Sequence, residues 1–523
     1  MIATITIFIV SLYATASLAY AFSSRSYHHQ QHHIICSIAS TSENDKQCTE
    51  ETYVIKSGGQ FNTKIFASSN CWGKKPFLMR GAFDPTQLMM MADDTAKEEE
   101  EEEDDDDIED ATWPSWEDVV EIATDEESES RIISHVPGCD TSFELQWGPL
   151  NDEDVDKWLA KPSSSSSSSS ENNTNKRKET LVVNDIDRFY PPLADWMYDT
   201  FHFIPNWRMD DGQISLAEYG GGIGPHVDNY DVFLIQMSGS RTWQVGRRKV
   251  NAIEECNRMI DGLDVRVLDD WKLDVDQNKV EEWIVNPGDV LYLPPRVAHC
   301  GTALSNDSMT LSVGCRAPSV SDLVSKLAER LSSSIDDSAV ARYIDEDILQ
   351  GTIEKSSPGE ITSDAKERTK HLVLDSLTSL LDDDEYWDEF IGRYATEQKR
   401  LRNNYPIPLS DWADESEEAN AESIIQSVLK GKCVLYQAEG IAFAFSSVSS
   451  GSYRFFVNGE MYQTESSDET EQSCMKHLYK VVSNSRKLDR ETLLGSDEKL
   501  SSDGISFLEQ LVETGALYPV DNQ

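Results

Sequence analysis

Between Asp210 and Pro318 apolar and polar residues alternate in short runs broken by Gly and Pro, the period-two texture of half-buried strands. The readable strands are Gln213 to Glu218, Val232 to Met237, Arg241 to Val245, Glu282 to Val285, Val290 to Leu293 and Met309 to Cys315. Ser238-Gly239-Ser240 separates two of them as a tight hairpin turn would. From Val320 the period changes. Leu323, Val324, Leu327 and Leu331 fall on one helical face, and further helices are expected over Leu372 to Leu381 and Tyr386 to Tyr394. Residues 421–523 read as helix, strand pair, helix, helix. The pair is Cys433 to Tyr436 with Arg454 to Val457, and Asn458-Gly459 is a turn signal, a pattern that fits a winged-helix-like module. An all-β sandwich or barrel followed by helices is thus an α+β arrangement.

Two segments interrupt the pattern and can bury nothing: the ten consecutive acids Glu98 to Asp107 and the eight serines Ser163 to Ser170. The first 42 residues contain no Asp or Glu, although acids number 94 in the chain of 523. An apolar stretch from Ile2 to Leu18 ends in Ala19-Tyr20-Ala21, a small-x-small cleavage pattern, and Phe22 onward is rich in His and Ser with Arg25. A signal peptide over 1–21 and a transit-like segment over 22–50 suit the two-part leader of a plastid of red-algal descent. A secretory, membrane-anchored or mitochondrial fate is the alternative. No other run is apolar for the length of a membrane span.

With 46 basic residues against 94 acidic ones the formal charge is −48, which repels a phosphate backbone. A basic protein is the expected partner, with no direct contact to nucleic acid and no membrane in the mature protein. Nine cysteines, an odd number without a Cys-x-x-Cys pair, indicate neither a zinc ribbon nor a disulfide framework.

Gly220-Gly-Gly-Ile-Gly-Pro-His226-Val-Asp228 carries a His-x-Asp pair out of a glycine loop toward a strand, where residues two apart share a face. Downstream, Asn286-Pro-Gly-Asp-Val-Leu-Tyr-Leu-Pro-Pro295 reads as turn, strand and stop, and His299 opens the next strand. Two imidazoles and one carboxylate form a facial triad. It leaves three positions of an octahedral Fe(II) open, enough for a bidentate 2-oxo acid and O2, whereas structural zinc favours a closed tetrahedral set. Of the six histidines outside the leader, only these two sit between turn and strand.

The stretches Tyr219 to Gln236, Arg241 to Gly246, Pro287 to Pro295 and Ser312 to Pro318 resemble the bacterial ribosomal oxygenases, JmjC-type enzymes of the cupin superfamily, and among them the arginine hydroxylases of large-subunit ribosomal protein sixteen. The likeness runs from Cys71-Trp72 toward the C-terminus. It implies a double-stranded β-helix (jelly-roll, cupin) catalytic domain over 70–320 with insertions at 92–110 and 161–180, a helical dimerisation region over 321–405 making a homodimer, and the winged-helix-like domain over 415–523.

The resemblance also assigns residues. His226, Asp228 and His299 match the iron ligands; Arg241 matches the residue that holds the distal carboxylate of 2-oxoglutarate, and Ser215 lies near that cosubstrate. Tyr230 and Asp231 fall where the substrate side chain enters. Ser312 could face either way. The chain departs from the bacterial pattern at Arg296-Val297-Ala298, where a glycine and a bulky apolar residue are usual, and at Cys300, which replaces an acid. The implied activity is 2-oxoglutarate-dependent hydroxylation of an arginine in a ribosomal protein. Histidine hydroxylation, histone demethylation and a non-catalytic ribosome-assembly factor on the same scaffold are the rival readings.

Overall fold

The computed structural model describes residues 53–57, 61–85, 113–136, 143–160, 177–250, 280–334, 343, 361–398, 405–412, 420–448, 452–463, 468–495 and 499–521. The leader, the acid run and the serine run lie outside these.

Twelve strands build the part of the chain up to Cys315. They are β1 (Tyr53–Lys56), β2 (Phe77–Arg80), β3 (Ser130–His135), β4 (Glu144–Trp147), β5 (Lys178–Val183), β6 (Met209–Ala217), β7 (Asp231–Ser238), β8 (Arg241–Lys249), β9 (Val280–Val285), β10 (Val290–Leu293), β11 (Val297–Ala303) and β12 (Ser308–Cys315). Nine of them form one sheet in the order β1-β2-β10-β7-β12-β6-β5-β3-β4, and the other three form a second sheet, β11-β8-β9.

Alternation along each strand decides which face a side chain serves. On one face of the large sheet Phe77, Leu181, Ile214, Phe233, Tyr292 and Leu311 join a core with Phe66, Trp116, Trp158 and Phe201 from the covering helices. Those helices are short, and the ones carrying Phe66, Trp116 and Trp158 have side-chain N-caps from Asn62, Ser115 and Asn151. Ser115, for example, closes a capping box with Asp118 at the start of Trp116–Ile122, satisfying two N–H groups that the helix itself cannot. On the opposite face Leu78, Val232, Leu234, Leu291 and Leu293 pack against Trp243, Val245, Val285 and Val297 of the small sheet. The two sheets therefore face each other, and the space between them holds the candidate site.

The Ser238-Gly239-Ser240 turn is not a hairpin. β7 pairs with β10 and β12 in the large sheet, while β8 pairs with β9 and β11 in the small one. Gly239, at φ +59°, makes a corner that carries the chain between sheets, and an added Cβ would lie 2.3 Å from Ser305 Oγ.

Beyond the sandwich come α1 (Val320–Ser334), α2 (Ser363–Leu381) and α3 (Asp384–Thr396). The C-terminal part has a separate core. Its expected strand pair does not form. β13 (Cys433–Gln437) lies between β18 (Leu517–Asp521) and the two-residue β17 (Lys487–Leu488), whereas β14 (Phe443–Ser447), β15 (Tyr453–Val457) and β16 (Glu460–Gln463) make a sheet of their own. Asn458 and Gly459, both at positive φ, turn β15 into β16. The Arg486 guanidinium joins this part to the sandwich: it bridges the half-exposed Asp195 and the buried Glu439 of its own part and lies over Tyr198. No helix among the described residues is long and apolar enough to cross a membrane.

Candidate active site

The glycine segment before His226 runs alongside β11. His226 and His299 exchange both backbone hydrogen bonds at 2.9 Å, so the two imidazoles are set side by side by main chain alone. Each ring turns one nitrogen toward a carbonyl of its own segment. His226 Nδ1 lies 2.8 Å from Gly224 O, and His299 Nδ1 lies 3.0 Å from Val297 O. Those contacts orient both Nε2 atoms toward Asp228, whose carboxylate oxygens are 3.9 Å from His226 Nε2 and 3.4 Å from His299 Nε2. One ligand atom from each of the three residues falls within a 4.8 Å span.

This donor set fits a divalent metal. The rings are oriented by second-atom hydrogen bonds, as metal-binding histidines are. Burial, reinforced by the neighbouring His226, lowers the His299 pKa to about 4, which keeps its ring in the neutral, coordinating form at ordinary pH. Three ligands, one of them a carboxylate, suit an octahedral ion with open positions better than a closed zinc site.

Arg241, the first residue of β8, points into the space between the sheets and is 2% exposed. Its Nη1 donates to Ser215 Oγ at 3.2 Å, while Nε and Nη2 have no hydrogen-bond partner among the described residues. Burial lowers its pKa to about 10, so it stays charged at neutral pH. A buried guanidinium with two orphan donors is a receptor for a carboxylate, since leaving such a charge unpaired is costly. Trp243 lies beside both partners of the site: its ring centroid is 5.8 Å from the Arg241 guanidinium carbon and 5.7 Å from that of His299.

The register shows what else lines this face. Direct cross-strand partners share a face, so Arg131, Val182, Ser215, Thr310 and Gln236 form one row across the sheet. Thr310 Oγ1 donates to Gln236 Oε1, and Gln236 Nε2 reaches Ser308 Oγ. The hydroxyl of Thr180, fully buried on the same face, has no hydrogen-bond partner among the described residues. Sequence reading missed Thr180, Gln236, Thr310 and Arg131; the available signal was polar residues at alternate positions of strands whose other positions are apolar. Ser312, two residues from Thr310, faces the site as well.

Tyr230 and Asp231 part company. The Asp228 charge is the largest cause holding the Tyr230 phenol well above its usual pKa, with burial next. Asp231 is paired with Cys315 in register and points to the other face of the sheet. There its oxygens accept from the Tyr292 hydroxyl at 2.6 Å and Arg208 Nη2 at 3.0 Å. Outward from Tyr230 opens a cavity of about 530 Å³, lined by Asn229 and Arg316 and by residues of α1 and α3, among them Asp322, Lys326 and Glu397.

Residues 196–323, which carry all three ligand residues and Arg241, match the family model of the JmjC domain. This stretch is a JmjC domain. The JmjC domain and its surroundings are similar to a probable ribosomal oxygenase of Haemophilus influenzae, 28% identical over 263 residues, covering 50% of this chain and 57% of that protein. They are also similar to the ribosomal protein uL16 3-hydroxylase of Escherichia coli, 27% identical over 278 residues, covering 53% and 63%. The chain thus spans less than two thirds of the length of either relative. Solved structures of the E. coli ribosomal oxygenase YcfD share the fold. The complex with cobalt and succinic acid superposes with a TM-score of 0.58 at 20% identity, over 88% of this chain and 99% of that one. The complex with cobalt and 2-oxoglutarate gives 0.56 at 21%. The domain is cupin-type, with mixed α and β content around one large sheet.

Proposed function

We propose that this protein is an Fe(II)- and 2-oxoglutarate-dependent hydroxylase of a large-subunit ribosomal protein, with an arginine as the modified residue. The observation that carries the reading is the pairing of an open two-histidine, one-carboxylate triad with a buried, half-satisfied guanidinium across Trp243. Iron bound at His226, Asp228 and His299 would couple oxidative decarboxylation of 2-oxoglutarate by O2 to insertion of one oxygen atom into an aliphatic C–H bond.

The rest is the work of the chain. Arg241 and Ser215 hold the distal carboxylate of the cosubstrate, a task suited to a planar fork of fixed charge. Thr180, Gln236 and Thr310 supply the polar floor of that pocket. The paired sheets keep bulk water from it. Tyr230 stands at the doorway to the cavity through which a substrate side chain reaches the triad.

Both relatives bear ribosomal names, and the strongly acidic surface suits a basic ribosomal protein, which favours encounter. Two further parts of the proposal rest on other features. The exposed Val320 and Val324 of α1 and Val373 and Leu374 of α2 support homodimerisation through the helical region, which light scattering reads directly. The acid-free leader supports a plastid destination, read by imaging a leader fusion.

The experiment is turnover with Fe(II), 2-oxoglutarate and a ribosomal-protein sixteen peptide, followed by fragment mass spectrometry. One added oxygen on an arginine, absent with His226→Ala, is the expected result. Oxygen on a histidine would reassign the substrate residue. An unmodified panel of ribosomal proteins, with iron bound, would favour a binding factor.

A further inference from the structure

Helix α3 ends on a charge of the wrong sign. Its C-cap is Glu397, a carboxylate at the end where the last carbonyls already make a negative pole. Two cations from other elements converge on it. Lys326 of α1 donates to Glu397 Oε1 at 2.7 Å. Arg316, the residue after β12, reaches the main chain: Nη1 donates to Ala395 O at 3.3 Å, and both Nη1 and Nη2 donate to Glu397 O at 3.4 Å. Its Nε lies 3.7 Å from Asp210 Oδ1, and its own backbone is paired with Arg208. The strand that brings Thr310 and Ser312 to the site is thereby tied to the end of α3. The other side of α3 lies on the C-terminal sheet, where an added Cβ on Gly392 would stand 2.3 Å from the Phe456 ring and Arg454 Nη1 donates to Glu385 O at 2.8 Å. Arg316, Lys326 and Glu397 all line the cavity that opens from Tyr230.

From this geometry we infer that Arg316 is a positioning residue for the protein substrate: together with Lys326 it holds the Glu397 end of α3 at a fixed distance from β12, and so sets the width of the cavity. A planar guanidinium can serve two carbonyls at once, which an ammonium on a flexible stem does less well. An acid at a helix C-terminus works against the fold locally, and such conflicts collect at functional sites. Moving this wall would change how a substrate fits the cavity without disturbing His226, Asp228, His299 or Arg241. The C-terminal sheet then serves as the backing of that wall. This inference rests on the hydroxylase reading above and deepens it.

The test is steady-state hydroxylation of the ribosomal-protein sixteen peptide by the full chain, alongside calorimetry of cobalt(II) and 2-oxoglutarate binding. Arg316→Met removes the fork and keeps the length of the side chain. The inference expects KM for the peptide to rise about tenfold, the equivalent of one charged hydrogen bond, with the change falling on KM rather than kcat. Cobalt and 2-oxoglutarate affinities should stay at their wild-type values. Arg316→Lys, which restores a cation but not the fork, should recover part of the loss. Lys326→Met, which releases only the Glu397 side chain, should raise KM in the same direction but less, and it carries the test should Arg316→Met fail to fold. A wild-type KM in the folded variants overturns the inference alone. So does a fall in cobalt affinity in Arg316→Met, which would make Arg316 a support of the metal site. A wild-type chain that neither binds nor modifies the peptide overturns the hydroxylase reading and the inference together.

Discussion

Arg241 shows how one side chain can be both a structural cost and a functional asset. Its charge is buried with two donors unpaired among the described residues, a state worth retaining only for an anion that arrives from outside. Charged hydrogen bonds contribute about 1.5–3 kcal/mol each. Arg241→Met should therefore weaken 2-oxoglutarate binding by about a hundredfold or more, measured by calorimetry, with Arg241→Lys between the two. Unfolding should be no easier in the Met variant, because an unpaired charge has been removed. Asp187 makes a second prediction. Burial, with Asp185 and Asp211 nearby, raises its carboxyl to about 7, while Gly212 N donates to it at 2.7 Å. A folded pKa above the unfolded one means that the folded state holds the proton more tightly. Its stabilising contribution is present below about pH 4 and is lost as pH rises through about 7. Asp187→Asn should flatten that decline and raise the urea midpoint at pH 8. At this scale the triad was legible, because a glycine loop and an i, i+2 pair fix a common face. The outward turn of Asp231 was not, since the irregular residues between His226 and β7 reset the alternation, and only pairing with Cys315 reveals it.

The element that decides the site is β11 together with the glycine segment lying against it. An added Cβ on Gly222 would stand 2.2 Å from Gly301 O, and one on Gly301 would stand 2.8 Å from the Trp243 ring. Both glycines are required by close approach. Gly222→Ala should push the segment off β11 and disturb the His226–His299 bridge, destabilising the fold by about 1–3 kcal/mol in urea unfolding. Cobalt affinity should fall with it. Most strands of the sandwich could be read from alternation, and Val290 to Leu293 was read to the residue. Sheet membership could not, because a Ser-Gly-Ser turn looks the same whether it closes a hairpin or carries the chain between sheets. The C-terminal strands failed for a related reason. Cys433–Gln437 finds its partner at Leu517–Asp521, some eighty residues on, and local turn signals carry no record of that.

For the molecule as a whole, charge and docking matter most. The formal charge of −48 favours encounter with a basic partner, and raising salt should slow association with it. Arg486, 8% exposed, links the C-terminal part to Asp195 of the JmjC domain's flank while pairing with Glu439 of its own part, to which the Tyr518 hydroxyl donates at 2.7 Å. Arg486→Met leaves the buried Glu439 carboxylate without its cation, while Asp195, 44% exposed, keeps its water. Breaking a buried pair from one side costs about 3–5 kcal/mol, so calorimetry should show the C-terminal part melting earlier as a separate transition. Nothing local in the sequence marks Arg486 for this role; its partners are separated from it by 47 and 291 positions.

The central claim is that His226, Asp228 and His299 hold one metal ion, and elemental analysis of the chain after anaerobic loading with Fe(II) and desalting tests it most directly. The account predicts one iron per wild-type chain and none in His226→Ala at an unchanged fold. Iron absent from the wild type, or retained in full by the variant, would contradict it.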